Sequence, residues 1–130
     1  MKRSLALRQL SREHHTALSL ALRIAKATEP AAQTALLASV PPLFRGELDP
    51  HFQEEERSLL PQLAAAGKTA LVARTLDEHA QMRSLATAIA AGDTAALAPF
   101  GELLQAHVRF EERELFAVAE RLLFAGDAAP

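Results

Sequence analysis

The chain has 130 residues, a formal net charge of −2 and 14 lysines and arginines spread along its length. That length suits one domain, 1–130, with room for a proper core, and scattered basic residues give no reason to expect nucleic-acid or membrane-surface binding. Cys, Tyr and Trp are all absent, which excludes disulfides, zinc–thiolate sites, thiol catalysis and tyrosyl-radical chemistry. Met1-Lys2-Arg3-Ser4-Leu5, followed by Arg8, Arg12 and Glu13, does not read as a signal peptide. No later run approaches the ~18 apolar residues of a membrane span, so the expectation is a soluble, cytoplasmic protein.

Ala and Leu dominate, and Gly is scarce, so propensity favours helices throughout. The first helix is expected over Leu5–Lys26, with Leu7, Leu10, Leu18, Leu22 and Ile24 available for one face. Thr28-Glu29-Pro30 ends it. The Ala-rich piece Ala31–Ser39 reads as a brief turn or helix that Pro41-Pro42 stops. A second long helix runs from Leu43 to about Ala66, kinked at Pro50 and Pro61 and closed by Gly67. The third spans about Lys68 to Ala91, with Val72, Leu76, His79, Met82 and Ile89 facing in, and ends at Gly92. Asp93 or Thr94 caps the fourth, which runs to about Phe124, tolerates Pro99 in its first turns and stops at Gly126. The tail Asp127–Pro130 is expected to fray. Four long helices with short connections give an all-α, antiparallel up-and-down bundle.

The fourth helix carries the most informative stretch. Leu97, Phe100, Leu104, His107, Glu111, Leu115, Val118 and Leu122 keep the three-and-four spacing of a seam facing a core. A histidine and a glutamate occupy its middle. A lone buried carboxylate costs several kcal/mol, on the order of the penalty for an ion taken out of water, so something must compensate it; a positive charge inside the core is the simplest candidate, and a metal would supply one. The second helix repeats the pattern: Phe44, Leu48, His51, Glu55, Leu59 and Leu63 share a face, with His51 and Glu55 four apart like His107 and Glu111.

Every helix contributes histidine: His14 and His15 from the first, His51, His79 and His107 from the others. The steps His51 to His79 and His79 to His107 are equal, which returns the chain to a similar height on each neighbouring helix. Any one of these histidines alone is more often a hydrogen-bonded core or surface group. The conjunction of four helices, matched depth and two His-x3-Glu pairs on apolar faces points to a metal site. Mixed nitrogen and oxygen donors without thiolate suit iron, manganese or zinc, and a pair of irons bridged by Glu55 and Glu111 best matches the count.

The stretches Arg12-Glu13-His14-His15, His51-Phe52-Gln53-Glu54-Glu55-Glu56 with Leu59-Leu60-Pro61, Glu78-His79 and His107-Val108-Arg109-Phe110-Glu111-Glu112 resemble a hemerythrin-like domain of the HHE cation-binding type. The resemblance covers essentially the whole chain. It implies a four-helix bundle holding two non-haem irons with an oxo or hydroxo bridge and an exposed position for a small ligand. Zinc or manganese are alternative occupants. Oxygen-carrying hemerythrins place two histidines four apart on the third helix, whereas Thr75 and Arg83 flank His79 here. His14 and His15 face about 100° apart, so both cannot point inward equally. Family members usually carry an apolar residue three after the first-helix ligand, which favours His15 (Leu18 follows) over His14 (Ala17 follows).

Counting donors, four imidazoles, two bridging carboxylates and a bridging oxygen leave two positions of an octahedral pair open. Open positions on iron allow Lewis-acid and redox chemistry. The expected function is binding or turnover of O2, peroxide or nitric oxide, with peroxide disproportionation a plausible activity. A non-catalytic sensor and an iron-handling module are the alternatives, the latter less favoured because ferritin-like sites use Glu-x-x-His pairs. Each ligating imidazole needs an acceptor for its other N–H, and Glu54, Glu112, Glu114, Gln81 and Gln105 are near enough in sequence to serve.

Overall fold

A computed structural model describes residues 3–124. Four helices make the bundle: α1 (Leu5–Lys26), α2 (30–65), α3 (Thr69–Ala90) and α4 (97–122), with a short 3₁₀ turn, Thr94–Ala96, leading into α4. No strand occurs among the described residues, and none of their helices is long and apolar enough to cross a membrane. The expected stop at Gly126 and the tail after it lie outside the described residues.

Local chemistry sets the ends of these helices. Gly67 and Gly92 adopt φ of +88° and +92°, a left-handed conformation that costs other residues energy and glycine little. In each case the next residue reaches back into the helix: Lys68 N–H donates to the Leu63 carbonyl and Asp93 N–H to that of Ala88, which satisfies orphan carbonyls. Asp93 then starts the next helix, its carboxylate accepting from Ala95 N–H at 3.0 Å.

Pro41-Pro42 does not stop the chain, contrary to the sequence expectation: Pro30–Leu43 is helical and runs on into the rest of α2. Each proline costs about 3 kcal/mol in a helix interior. Leu36, Val40, Phe44 and Leu48 are all buried around them, each contributing about 1.5–3 kcal/mol, so packing outweighs the local penalty. Pro50 and Pro61 are accommodated by wider π turns just before them, Phe44–Leu48 and Glu55–Leu59. A third π turn, Glu111–Leu115, lies in α4 and has no proline after it.

These turns also correct the expected core. A π turn inserts one residue into the helical repeat, so beyond Glu111 the buried positions become Leu115, Phe116 and Ala119, while Val118 is half-buried and Leu122 exposed. On α1 the inward face is Leu7, Leu10, His14, Ala17, Leu20, Ala21 and Ile24; Leu18 and Leu22 lie outside. This face packs closely on α4, where an added Cβ at Gly101 would stand 3.0 Å from Ile24 Cγ2. On α3, Leu76 is exposed and Thr75 buried, its hydroxyl donating to the Leu71 carbonyl.

The helices run antiparallel to their sequence neighbours, and α4 returns antiparallel to α1. Ser4 N–H meets Glu120, while Ile24 meets Gly101 at the opposite end. Two apolar clusters result. One around Phe44, Phe100 and Met82 fills one end of the bundle, and one around Leu63, Leu115 and Phe116 fills the other. Between them lies a polar layer. The first cluster rests on Phe100, fully buried and edge-on to Phe44 at 6.0 Å. Phe100→Ala is expected to lower the unfolding free energy by about 3–5 kcal/mol in denaturant melts; a loss below about 1 kcal/mol would contradict this packing.

Candidate metal centre

The polar layer contains His14, His51, Glu55, His79, His107 and Glu111, with Glu55, His79, His107 and Glu111 fully shielded from solvent. The His-x3-Glu spacing places His51 above Glu55 on α2 and His107 above Glu111 on α4, one helical turn apart. Both glutamates start a π turn, and their carbonyls accept from the N–H five residues on, at Leu60 and Phe116. π turns recur at functional sites.

The two carboxylates lie between the imidazoles and divide their oxygens among them. Glu111 Oε1 is 2.8 Å from His14 Nε2 and 3.8 Å from His51 Nε2, while its Oε2 is 3.0 Å from His107 Nε2 and 3.9 Å from His79 Nε2. Glu55 does the same, with Oε2 at 3.4 Å from His51 Nε2 and Oε1 at 3.0 Å from His79 Nε2. Two sets of four donors follow, His14, His51, Glu55 and Glu111, and Glu55, His79, His107 and Glu111, each with its ligand atoms within 4.8 Å of one another. Both carboxylates belong to both sets.

Each imidazole is oriented from behind. Nδ1–H of His14 donates to Glu112 (2.6 Å), that of His51 to Glu13 (2.8 Å), that of His79 to Glu56 (2.7 Å) and that of His107 to Glu78 (2.6 Å). A carboxylate only accepts, so Nδ1 carries the proton and the neutral tautomer leaves an Nε2 lone pair facing inward. Three of these carboxylates are held in turn by arginine: Glu112 by Arg3, Glu56 by Arg83 and Glu78 by Arg74. Glu13 is held by Gln9 instead. Phe52 stacks on His79 at 4.2 Å, and Phe116 on His14 at 5.3 Å.

The supporting groups connect the helices in a closed sequence. Glu13 of α1 holds His51 of α2, Glu56 of α2 holds His79 of α3, Glu78 of α3 holds His107 of α4, and Glu112 of α4 holds His14 of α1. Of the acceptors expected from sequence, only Glu112 serves. Glu54 pairs with Arg57, Glu114 with Arg74 and Gln81 with Asp77, while Gln105 is exposed. Glu13, Glu56 and Glu78 were missed, although each sits next to a site residue in the chain, as Glu112 does.

His14 is buried and His15 exposed on the outer face of α1. The preference for His15 is therefore corrected. It rested on Leu18, which faces out, whereas Ala17, three after His14, lies on the inward seam.

The atoms of this layer fit a metal rather than one another. Nε2 of His51, His79 and His107, both oxygens of Glu55 and Oε2 of Glu111 are buried without a hydrogen-bond partner, although several stand close to each other. Leaving such groups unsatisfied is costly. Ligand atoms about 2.1 Å from one ion and at right angles are about 3.0 Å apart, which is the spacing seen at His79–Glu55 and His107–Glu111.

A family model for the hemerythrin HHE cation binding domain matches residues 5–119. The chain belongs to the hemerythrin family. No curated protein and no solved structure matches it. The family match reaches into all four helices and spans the whole polar layer, whose two buried groups of His and Glu could each hold a metal ion. Thr75, one turn before His79 on α3, is buried, and its hydroxyl is engaged with its own helix.

Without metal, protons do the compensating. Burial alone would lower the imidazoles, but Glu111 and Glu55 overcome it and push His51 up to about 11; the same carboxylates with Glu56 push His79 up to about 9. Burial would likewise lower His107, but Glu111, with Glu78 and Glu55, raises it to about 10. Glu111 is held well below the usual carboxylate range, burial being offset by His107, His14 and His51, while burial and the charge of Glu111 push Glu55 up. Raised imidazoles contribute stability that is fully present below about pH 6.5 and is lost as pH rises through the folded values. Metal-free protein is accordingly expected to melt at a lower temperature at pH 9 than at pH 6.5; a rising or flat profile would contradict these ion pairs. His15→Ala is expected to leave metal content unchanged, whereas His14→Ala lowers it. The reverse pattern in elemental analysis would restore His15 as the ligand.

Proposed function

We propose that this protein is a non-haem di-iron protein that binds or turns over a small oxygen or nitrogen species, O2, peroxide or nitric oxide, between its four helices. The observation that carries the reading is the division of Glu55 and Glu111, one oxygen of each toward either pair of imidazoles. In this reading His14 and His51 would hold one iron and His79 and His107 the other, with Glu55 and Glu111 available to both. All-nitrogen-and-oxygen donors without thiolate suit iron, with manganese and zinc as competitors. Iron bound there would supply redox and Lewis-acid chemistry to a small ligand.

The chain's own residues bind, orient and seclude. Glu13, Glu56, Glu78 and Glu112 keep the proton at each Nδ1 and so fix the tautomer that presents Nε2. Phe52 and Phe116 cover the faces of His79 and His14 and exclude water there. Access is unequal on the two sides. A cavity between α1 and α2 reaches His14, His51 and His107, whereas His79 does not line it. A small ligand would therefore arrive on the His14–His51 side.

Protein purified from iron-supplemented cells is expected to contain about two irons per chain, with near-ultraviolet absorption that shifts when azide or peroxide is added. Absence of iron, together with no uptake of ferrous iron by anaerobic apoprotein, would overturn the reading. An iron-loaded protein whose spectrum ignores azide would keep the metal site and reject the accessible position.

A further inference from the structure

The cavity between α1 and α2 is about 550 Å³. A diatomic molecule needs little more room than a water, about 30 Å³, so most of this space has no part in admitting one. Pockets of about 300–1,000 Å³ are the size class of organic ligands. The cavity has two distinct zones. Its inner part is apolar, walled by Leu10, Ala17, Leu48, Phe52, Leu104 and Val108, and ends at His14, His51 and His107. Its rim carries Glu13, Glu47 and Glu54 against one arginine, Arg57, which is already paired with Glu54 at 2.5 Å.

These features select for a molecule whose body is apolar and uncharged. A charged organic group would lose its water among these hydrocarbon walls, and Arg57 at the rim is already paired with Glu54. Small residues keep the space open. Ala6 and Gly46 line it from α1 and α2, and a Cβ added at Gly46 meets no atom within 4 Å.

We propose that this cavity binds neutral organic hydroperoxides, with the oxygen end against His14 and His51 and the organic group between α1 and α2. The proposal rests on the reading of the polar layer as a metal centre and names the class of ligand that centre receives. Gly46 is the position that sets the size limit.

The test uses zinc-loaded protein, which holds the site without redox chemistry, and cumene hydroperoxide as probe, with binding read by calorimetry and zinc by elemental analysis. The natural sequence is expected to bind the probe, and Gly46→Phe to weaken binding at least about tenfold at unchanged zinc content. Replacing helix-interior glycine favours the helix. Ala6→Phe narrows the cavity from the other wall and serves if Gly46→Phe does not fold. No probe binding, or equal binding by the narrowed variants, would overturn the proposal. A chain that takes up no zinc fails the metal reading separately, and the same comparison on metal-free protein then still decides the cavity.

Discussion

Two glutamates with no access to water govern this structure. Glu55 and Glu111 lie side by side at the centre of the bundle, and among the described residues each of their ion-pair partners is an imidazole. Among the described residues no lysine or arginine pairs with them. Taking two carboxylates out of water costs several kcal/mol each, comparable to the whole stability of a small domain. The sequence bears that cost at a fixed depth on two helices and surrounds it with four imidazoles, which makes sense if cations complete the layer.

The surrounding order follows from this constraint. An imidazole compensates or presents a lone pair only if its other nitrogen is fixed, and each Nδ1 is fixed by a glutamate from the preceding helix around the ring. Every one of those glutamates adjoins a residue of the polar layer in the chain: Glu13 beside His14, Glu56 beside Glu55, Glu78 beside His79 and Glu112 beside Glu111. Adjacent helical residues point about 100° apart, so one faces the centre while the other faces a neighbouring helix. Arg3, Arg83 and Arg74 then tie three of the four outward to the surface. The α1–α2 side lacks such an arginine, and it is the side on which the cavity opens.

The His-x3-Glu pairs were legible because two residues four apart share a helix face whatever the rest of the fold does. The matched depth of the histidines followed from equal spacing in an up-and-down bundle. What could not be read depended on contacts between helices or on local departures from the helical repeat. Leu18 suggests that His15 faces the core, yet the buried position three after His14 is Ala17, whose small side chain carries little signal of burial. The supporting glutamates act across helices, and spacing along one helix does not reveal them. Val118 and Leu122 were misplaced because the π turn after Glu111 shifts the repeat by one residue. Pro41-Pro42 signals a break locally, and only the buried residues on either side show why the helix continues.

The central claim is that both carboxylates serve both metals, and metal titration of Glu111→Gln apoprotein tests it most directly. Calorimetry on the natural sequence should give about two ions per chain. Because Glu111 offers an oxygen to each set of donors, its loss should weaken both binding events together. Retention of one site at its original affinity would contradict the account and assign Glu111 to a single metal.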